Sequence, residues 1–76
     1  MRAWLAARRE ELRWNKTTAA EKVGISRQFY GEIESGRRNP TLSTAKIICD
    51  IMGLDPVLFF DQKLHETHQE NKGNTS

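Results

Sequence analysis

Two short stretches of helical periodicity are joined in this chain by the four residues VGIS, and this joint restricts the fold more than any other feature. A narrow apolar stripe runs through "KTTAAEKV" before the joint, and Asn15 is a suitable N-cap for that helix. Ser26 is an N-cap for a second helix through "RQFYGEIES". Gly24 suits the left-handed residue that ends a helix. The pattern therefore predicts two short helices connected by a tight turn.

Three further helices are predicted around this pair. The first covers about residues 2–13, from the helical spacing of its apolar residues. The pair itself forms the second and third helices of the chain, and the third covers about residues 27–34 and stops at Gly36. Thr41 caps a fourth helix that ends at Gly53. Asp55 and Pro56 then begin a short fifth helix through "VLFF". Because no strand pattern occurs, the predicted fold is an all-α, five-helix domain containing a helix-turn-helix.

Length, charge and cysteine use limit the possible functions. The chain has 76 residues, which predicts one domain over residues 1–60 and a polar, flexible tail over residues 61–76. Residues 1–46 contain ten Lys and Arg against five Asp and Glu, a balance of +5, whereas residues 47–76 contain two against five, a balance of −3. Cys49 is the single cysteine, so neither an internal disulfide nor a cysteine-based metal site is expected. The basic half favours a polyanionic partner.

The third helix divides into an apolar arc and a polar arc. Stepping 100° per residue puts Phe29, Tyr30 and Ile33 on one arc, assigned to the core, with Tyr30 interior and Phe29 at its border. The opposite arc is polar and has Gly31 at its centre, where glycine costs about 1 kcal/mol of helix propensity. A missing side chain lets the backbone approach a partner closely, as a helix in the DNA major groove does.

Three residues of the polar arc match the hydrogen-bonding groups of base edges. Arg27 can donate in a fork to guanine, and Gln28 can pair with adenine. Glu32 lies one turn after Gln28 and can accept from cytosine or orient Arg27. Taken singly, each residue also fits a solvated helix face. Taken together, between the VGIS turn and an arginine-rich loop, they favour reading of the major groove.

The spacing of "AEKVGIS", "IE" and "GRRNPTL" resembles the helix-turn-helix domain of the Xre/Cro and phage-repressor class. With "WLAARRE", the resemblance covers about residues 2–60. It implies a five-helix lambda-repressor-like domain that binds a pseudo-palindromic double-stranded DNA operator as a homodimer and regulates transcription, most simply as a repressor. It also implies an ion pair between Arg9 and Glu34, which would make Arg9 a structural residue rather than a DNA contact.

A second set of residues is expected at the DNA backbone. Lys16 stands where the family usually has a glutamine at the phosphates, and a lysine keeps that role as a point charge. The loop "GRRNP" follows the reading helix and is well placed for phosphates or a minor-groove edge. The expected backbone contacts are Lys16, Thr17, Ser26, Ser35, Arg37, Arg38 and Asn39.

The segment "GLDPVLFF" predicts a dimer interface. A short helix cannot turn all of its large apolar residues inward, so some remain exposed, and an exposed apolar patch usually marks an interface. Val57, Phe59 and Phe60 are the expected interface residues. The alternative is that Trp4 covers this surface and that the protein pairs only on DNA.

Other functional classes receive little support. The spacing of His65 and His68 in "HETH" differs from the zinc-protease motif, and the stretch lies in the polar tail, so no metal, cofactor or catalytic site is expected. No segment has the length of a signal peptide or membrane span, which predicts a cytoplasmic protein without a membrane or small-molecule partner. Two related functions stay open: a restriction-modification controller protein, and an antitoxin that mainly binds a partner protein. Leu64 is the only large aliphatic residue that the tail offers for the latter.

Overall fold

The computed structural model describes residues 1–60 and contains only helices in that range. The first four helices are α1 (Ala3–Glu11), α2 (Lys16–Val23), α3 (Arg27–Ser35) and α4 (Leu42–Met52). A fifth, α5, is helical over residues 57–60. The prediction of an all-α, five-helix domain is confirmed. The predicted flexible tail, with His65 and His68, lies outside the described residues.

Three predicted N-caps form the expected side-chain hydrogen bonds. The Asn15 side chain accepts from the backbone N–H of Thr18 at 2.7 Å, and the Ser26 hydroxyl accepts from the N–H three residues later at 3.0 Å. Thr41 accepts in the same way at the start of α4, at 3.2 Å. Each bond satisfies one of the N–H groups that a helix leaves unpaired at its first turn. The starts of α2, α3 and α4 are therefore confirmed.

The end of α1 differs from the prediction. The helix stops at Glu11 rather than near residue 13, because Arg13 takes a left-handed conformation with φ of 63°. This conformation costs a non-glycine residue about 1–2 kcal/mol. It turns the chain so that the Trp14 N–H still bonds to the Arg9 carbonyl at 3.1 Å and the chain can enter α2.

The core lies where α2, α3 and α4 meet beneath α1. Tyr30 and Ile33 are completely buried, as their arc of the third helix predicted. The Tyr30 hydroxyl lies 4.0 Å from the sulfur of Met52 on α4. The buried apolar cluster comprises Leu5, Ala19, Ala20, Val23, Tyr30, Ile33, Ala45, Ile48, Cys49, Met52 and Phe59. Small residues on α2 let the helix-turn-helix pair pack closely on α4.

Phe59 requires a correction. It was expected at a dimer interface, but it is only 5 % exposed and belongs to the core cluster. Its ring meets Trp4 edge to face, with centroids 4.9 Å apart, and the guanidinium of Arg2 lies 5.1 Å from its centroid. Trp4 thus covers Phe59, while Val57 stays 50 % exposed and Phe60 is half-buried.

Three arginines of the α1 region fix the other helices. Arg8 donates from Nε to the Met52 carbonyl at 2.7 Å, where a cation also complements the negative end of the α4 dipole. Arg2 likewise places a cation at the C-terminal end of α3, where its guanidinium donates to the Ile33 carbonyl. Arg9 forms the ion pair with Glu34 that the family resemblance implied. These contacts hold α3 in a fixed orientation against α1.

Candidate nucleic-acid interface

The outer face of α3 is polar and open to solvent. Arg27 and Gln28 occupy its first turn, and both are exposed. The hydroxyl of Ser26 accepts the N–H of Phe29, so the backbone under these two side chains is fixed. Tyr30 and Ile33 anchor the opposite face of the helix in the core. The helix therefore holds two hydrogen-bonding side chains outward on a rigid support.

Gly31 leaves a gap in the middle of this face. Its φ is not positive, so no backbone constraint of the turn type requires a glycine there. A Cβ atom added to Gly31 would meet nothing within 4 Å outside its own stretch of helix, so the packing of residues 1–60 does not require glycine either. A helix interior normally disfavours glycine by about 1 kcal/mol relative to alanine. The gap is thus suited to close approach by another molecule.

Glu32 is paired with the loop after α3 and not with Arg27. Its Oε1 lies 3.1 Å from Nε of Arg38. The Arg38 guanidinium also lies over the Phe29 ring, with Cζ 5.7 Å from the ring centroid. The structure therefore brings together a base-reading candidate, a backbone candidate and the half-buried Phe29 in one cluster.

Four of the remaining backbone candidates lie on α2 or at the ends of α3. Lys16 and Thr17 form the first turn of α2, where Thr17 is exposed and Lys16 half-buried. The hydroxyls of Ser26 and Ser35 already have local roles, since Ser26 caps α3 and Ser35 donates to the Glu32 carbonyl at 3.1 Å. The two serines are exposed and lie at the two ends of α3.

The loop after α3 also contains the backbone candidates Arg37 and Asn39, which have different surroundings. Arg37 is exposed, and its backbone N–H donates to the Ser35 hydroxyl at 3.4 Å. The Asn39 side-chain oxygen instead accepts from Nη2 of Arg2 at 2.6 Å. Asn39 therefore has a structural partner within the chain, although the residue as a whole is exposed.

Arg2 is a positioning residue that sequence reasoning did not identify. It is 7 % exposed, and its guanidinium donates to the carbonyls of Ile33 and Arg38 and to Asn39. Its own backbone N–H donates to the Glu34 carbonyl at 2.8 Å. The only sequence signal was its place at the start of an amphipathic helix, which does not distinguish a buried arginine from a solvated one.

Several interior groups beneath this face have shifted pKa values. Burial, helped by the nearby Asp55 charge, raises the pKa of the Cys49 thiol to about 11. Burial also raises the pKa of Tyr30, and the Glu34 carboxylate adds to this shift. The hydrogen bond to Glu34 raises the pKa of Arg9. The thiol and the phenol are accordingly neutral at pH 7, and Arg9 stays charged.

Residues 1–60 contain no group of three His, Cys, Asp or Glu side chains arranged to hold a metal ion. In the same range, none of the helices combines the length and the apolar composition that crossing a bilayer requires. The candidate binding surface in residues 1–60 is therefore the polar outer face of α3 together with the basic side chains beside it.

Comparisons with known proteins agree with this geometry. The family model HTH_3, described as helix-turn-helix, matches residues 5–59. The chain is 33 % identical over 72 residues to an uncharacterized HTH-type transcriptional regulator, YqaF, of Bacillus subtilis (strain 168), and the alignment covers 95 % of each chain. No solved structure matches. The chain therefore belongs to the Xre/Cro-type helix-turn-helix family of DNA-binding transcriptional regulators.

Proposed function

We propose that this protein is a repressor that inserts α3 into the major groove of a specific operator in the cytoplasm. The observation that carries the proposal is the outer face of α3, where exposed Arg27 and Gln28 precede a glycine that no contact within the described chain requires. Arginine and glutamine are the side chains that pair with guanine and adenine. Occupying a promoter represses transcription without a further activity.

Basic and polar groups on both sides of α3 supply the contacts to phosphates. Lys16 and Thr17 begin α2, and Arg37 follows α3 on the exposed loop. Such contacts release counterions from DNA, so they strengthen binding to every sequence and weaken as salt rises. In this proposal they fix the register of the protein, while Arg27 and Gln28 select the sequence.

Two substitutions test these roles. We expect Gln28→Ala to cost about 1–3 kcal/mol of binding free energy at the preferred site and to change nonspecific binding little, because a paired base contact carries discrimination.

We expect Arg37→Ala to weaken binding to all sequences alike and to reduce the slope of log affinity against log salt concentration by about 1. The measurements are site selection from a random duplex pool, followed by titrations at several salt concentrations. The proposal fails if the wild type enriches no sequence or binds independently of salt.

A homodimer is part of the proposal, and the structure suggests a wider surface for it than the sequence did. Ile47 and Ile51 are one turn apart on α4 and are 46 % and 42 % exposed, and Val57 at the start of α5 is 50 % exposed. Beside them lies a groove of about 410 Å³, lined by Lys46, Ile47, Asp50, Leu54 and Pro56. Exposed apolar ridges beside a groove are typical of an interface.

The charges on this surface fit a second copy of the chain. Lys46 and Asp50 are one turn apart beside Ile47 and Ile51, and both are exposed. In a two-fold contact the same patch meets itself, so Lys46 of each protomer can face Asp50 of its partner while the isoleucines meet at the axis. A two-fold pair of α3 helices also matches an operator whose half-sites are about 34 Å apart.

The dimer is tested by charge insertion on α4. We expect the wild type to be a dimer at tens of micromolar in sedimentation equilibrium and Ile51→Glu to be a monomer, because the carboxylate would be buried without a partner. Leu42→Glu is the matched control, since Leu42 is 55 % exposed on the same helix but lies outside this patch. A monomeric wild type, or an Ile51→Glu variant that still dimerises, would remove this interface.

A further inference from the structure

We propose that Arg38 reads a guanine in the operator and that Glu32 is the residue that positions it. This inference rests on the proposed function, in which α3 enters the major groove. It assigns roles that differ from those expected from sequence, where Glu32 was a base reader and Arg38 a phosphate contact. The basis is the cluster that Glu32 and Arg38 form with Phe29 on the outer side of α3.

Both the backbone and the side chain of Arg38 are fixed on α3. Its N–H donates to the Glu32 carbonyl at 3.2 Å, and its carbonyl accepts from Nη1 of Arg2 at 3.1 Å. Its Nε pairs with Oε1 of Glu32, and its guanidinium lies over the Phe29 ring. Arg37 differs, because its hydrogen bond to Ser35 involves the backbone N–H and not the guanidinium. The two neighbouring arginines therefore have different environments.

The ion pair leaves the reading end of Arg38 available. The 3.1 Å contact joins Nε to Glu32, which leaves the two terminal amino groups of the guanidinium to meet the paired acceptors of guanine. A free arginine side chain samples many rotamers and loses entropy when it is held in one geometry. Pairing with Glu32 and contact with Phe29 restrict these rotamers before DNA binds, so less entropy is lost in the complex.

Stability alone does not account for this cluster. The Arg38 side chain is 63 % exposed and that of Glu32 is 25 % exposed. Exposed ion pairs typically contribute little to stability, which is a weak reason to place a carboxylate on this face. A bare carboxylate close to phosphates is repelled by them, whereas one paired with Arg38 adds little net charge. The pair is thus suited to a DNA-facing position.

The test compares which base pair each substitution affects. We expect Arg38→Ala to lose one guanine preference per half-site, with about a 5- to 150-fold loss at the preferred operator. Glu32→Gln should weaken the preference at that same base pair, and the double variant should match Arg38→Ala, because Glu32 acts through Arg38. Arg38→Lys should keep the wild-type salt slope yet not restore full selectivity, since lysine lacks the planar fork.

Arg37→Ala is the matched control, and circular dichroism checks that every variant is folded. The inference is overturned if Arg38→Ala weakens all sequences equally, as expected for Arg37→Ala, or if Glu32→Gln alters a different base pair from Arg38→Ala. A wild-type protein that selects no sequence contradicts the proposed function itself. These outcomes are distinct, because the last is measured without any substitution.

Discussion

Replacing Glu34 with alanine is expected to lower the free energy of unfolding by about 3–5 kcal/mol, because it leaves a buried arginine without its partner. Arg9 meets Glu34 in a two-point contact, with Nε to Oε2 at 2.9 Å and Nη2 to Oε1 at 3.1 Å. The two side chains are 12 % and 4 % exposed. A chain this small rarely has more than about 3–5 kcal/mol of stability, so the variant should be largely unfolded at 25 °C.

The measurement is urea denaturation followed by circular dichroism, with Glu11→Ala as the control. Glu11 pairs with Arg8 at 3.1 Å, but its side chain is 67 % exposed, so its removal should cost less than about 1 kcal/mol. A double variant, Arg9→Leu with Glu34→Leu, should be more stable than Glu34→Ala because it buries no unpaired charge. Equal costs for Glu34→Ala and Glu11→Ala would show that the pair is not structural.

Features that depend on neighbouring residues were predictable from sequence. Asn15, Ser26 and Thr41 each accept a hydrogen bond from an N–H three residues later. Such a bond needs only a suitable side chain and the start of a helix, so residue type and local spacing identify it. The same reasoning placed Gly24 and Gly53 at the ends of α2 and α4, where both residues have a positive φ.

Features that depend on distant residues were not predictable in this way. Arg2 reaches Ile33 and Asn39, which are 31 and 37 positions away, and no local rule distinguishes this arginine from a solvated one. The pairing of Glu32 with Arg38 depends on the path of the loop after α3. The Arg9 and Glu34 pair spans 25 positions and was expected only because the chain resembles a family that has it.

The two adjacent phenylalanines at the end of the domain illustrate a third limit. The sequence assigned both Phe59 and Phe60 to a dimer interface, but the structure turns Phe59 inward, and this choice depends on the rotation of α5 relative to α1. Trp4 meets Phe59 edge to face and thereby fixes that rotation. Apolar residues on α4 that had been assigned no role, Ile47 and Ile51, then extend the exposed surface.

The largest expected effect on DNA binding comes from filling the gap at Gly31. We expect Gly31→Leu to bind the specific operator about 100-fold or more weakly than the wild type. Forcing a side chain into a packed contact costs about 1–3 kcal/mol, and this loss lies at the upper end of that range. The leucine would occupy the space between the α3 backbone and the base edges. Gly31→Ala should lie between the wild type and Gly31→Leu, because it adds a single methyl group.

The thermal stability of these Gly31 variants should change in the opposite direction from their DNA affinity. An added Cβ at Gly31 meets nothing within 4 Å outside its own stretch of helix, so alanine introduces no clash among the described residues and a leucine side chain starts from open space. Alanine and leucine also favour a helix interior over glycine, by up to about 1 kcal/mol. Both variants should therefore unfold at a temperature equal to or above that of the wild type, while binding its operator less tightly.

Binding titrations and thermal melts on the same samples separate the two effects, and Ala7→Leu is the matched control. Ala7 is exposed on α1, a helix to which no DNA contact is assigned, so an added leucine there should leave DNA affinity unchanged. If Gly31→Leu were to bind the selected operator as tightly as the wild type, α3 could not be seated closely in the groove. If Gly31→Leu lost both folding and binding, the gap would serve the packing of the chain. A gap that is kept open for DNA predicts instead a stable Gly31→Leu protein that no longer recognises its site.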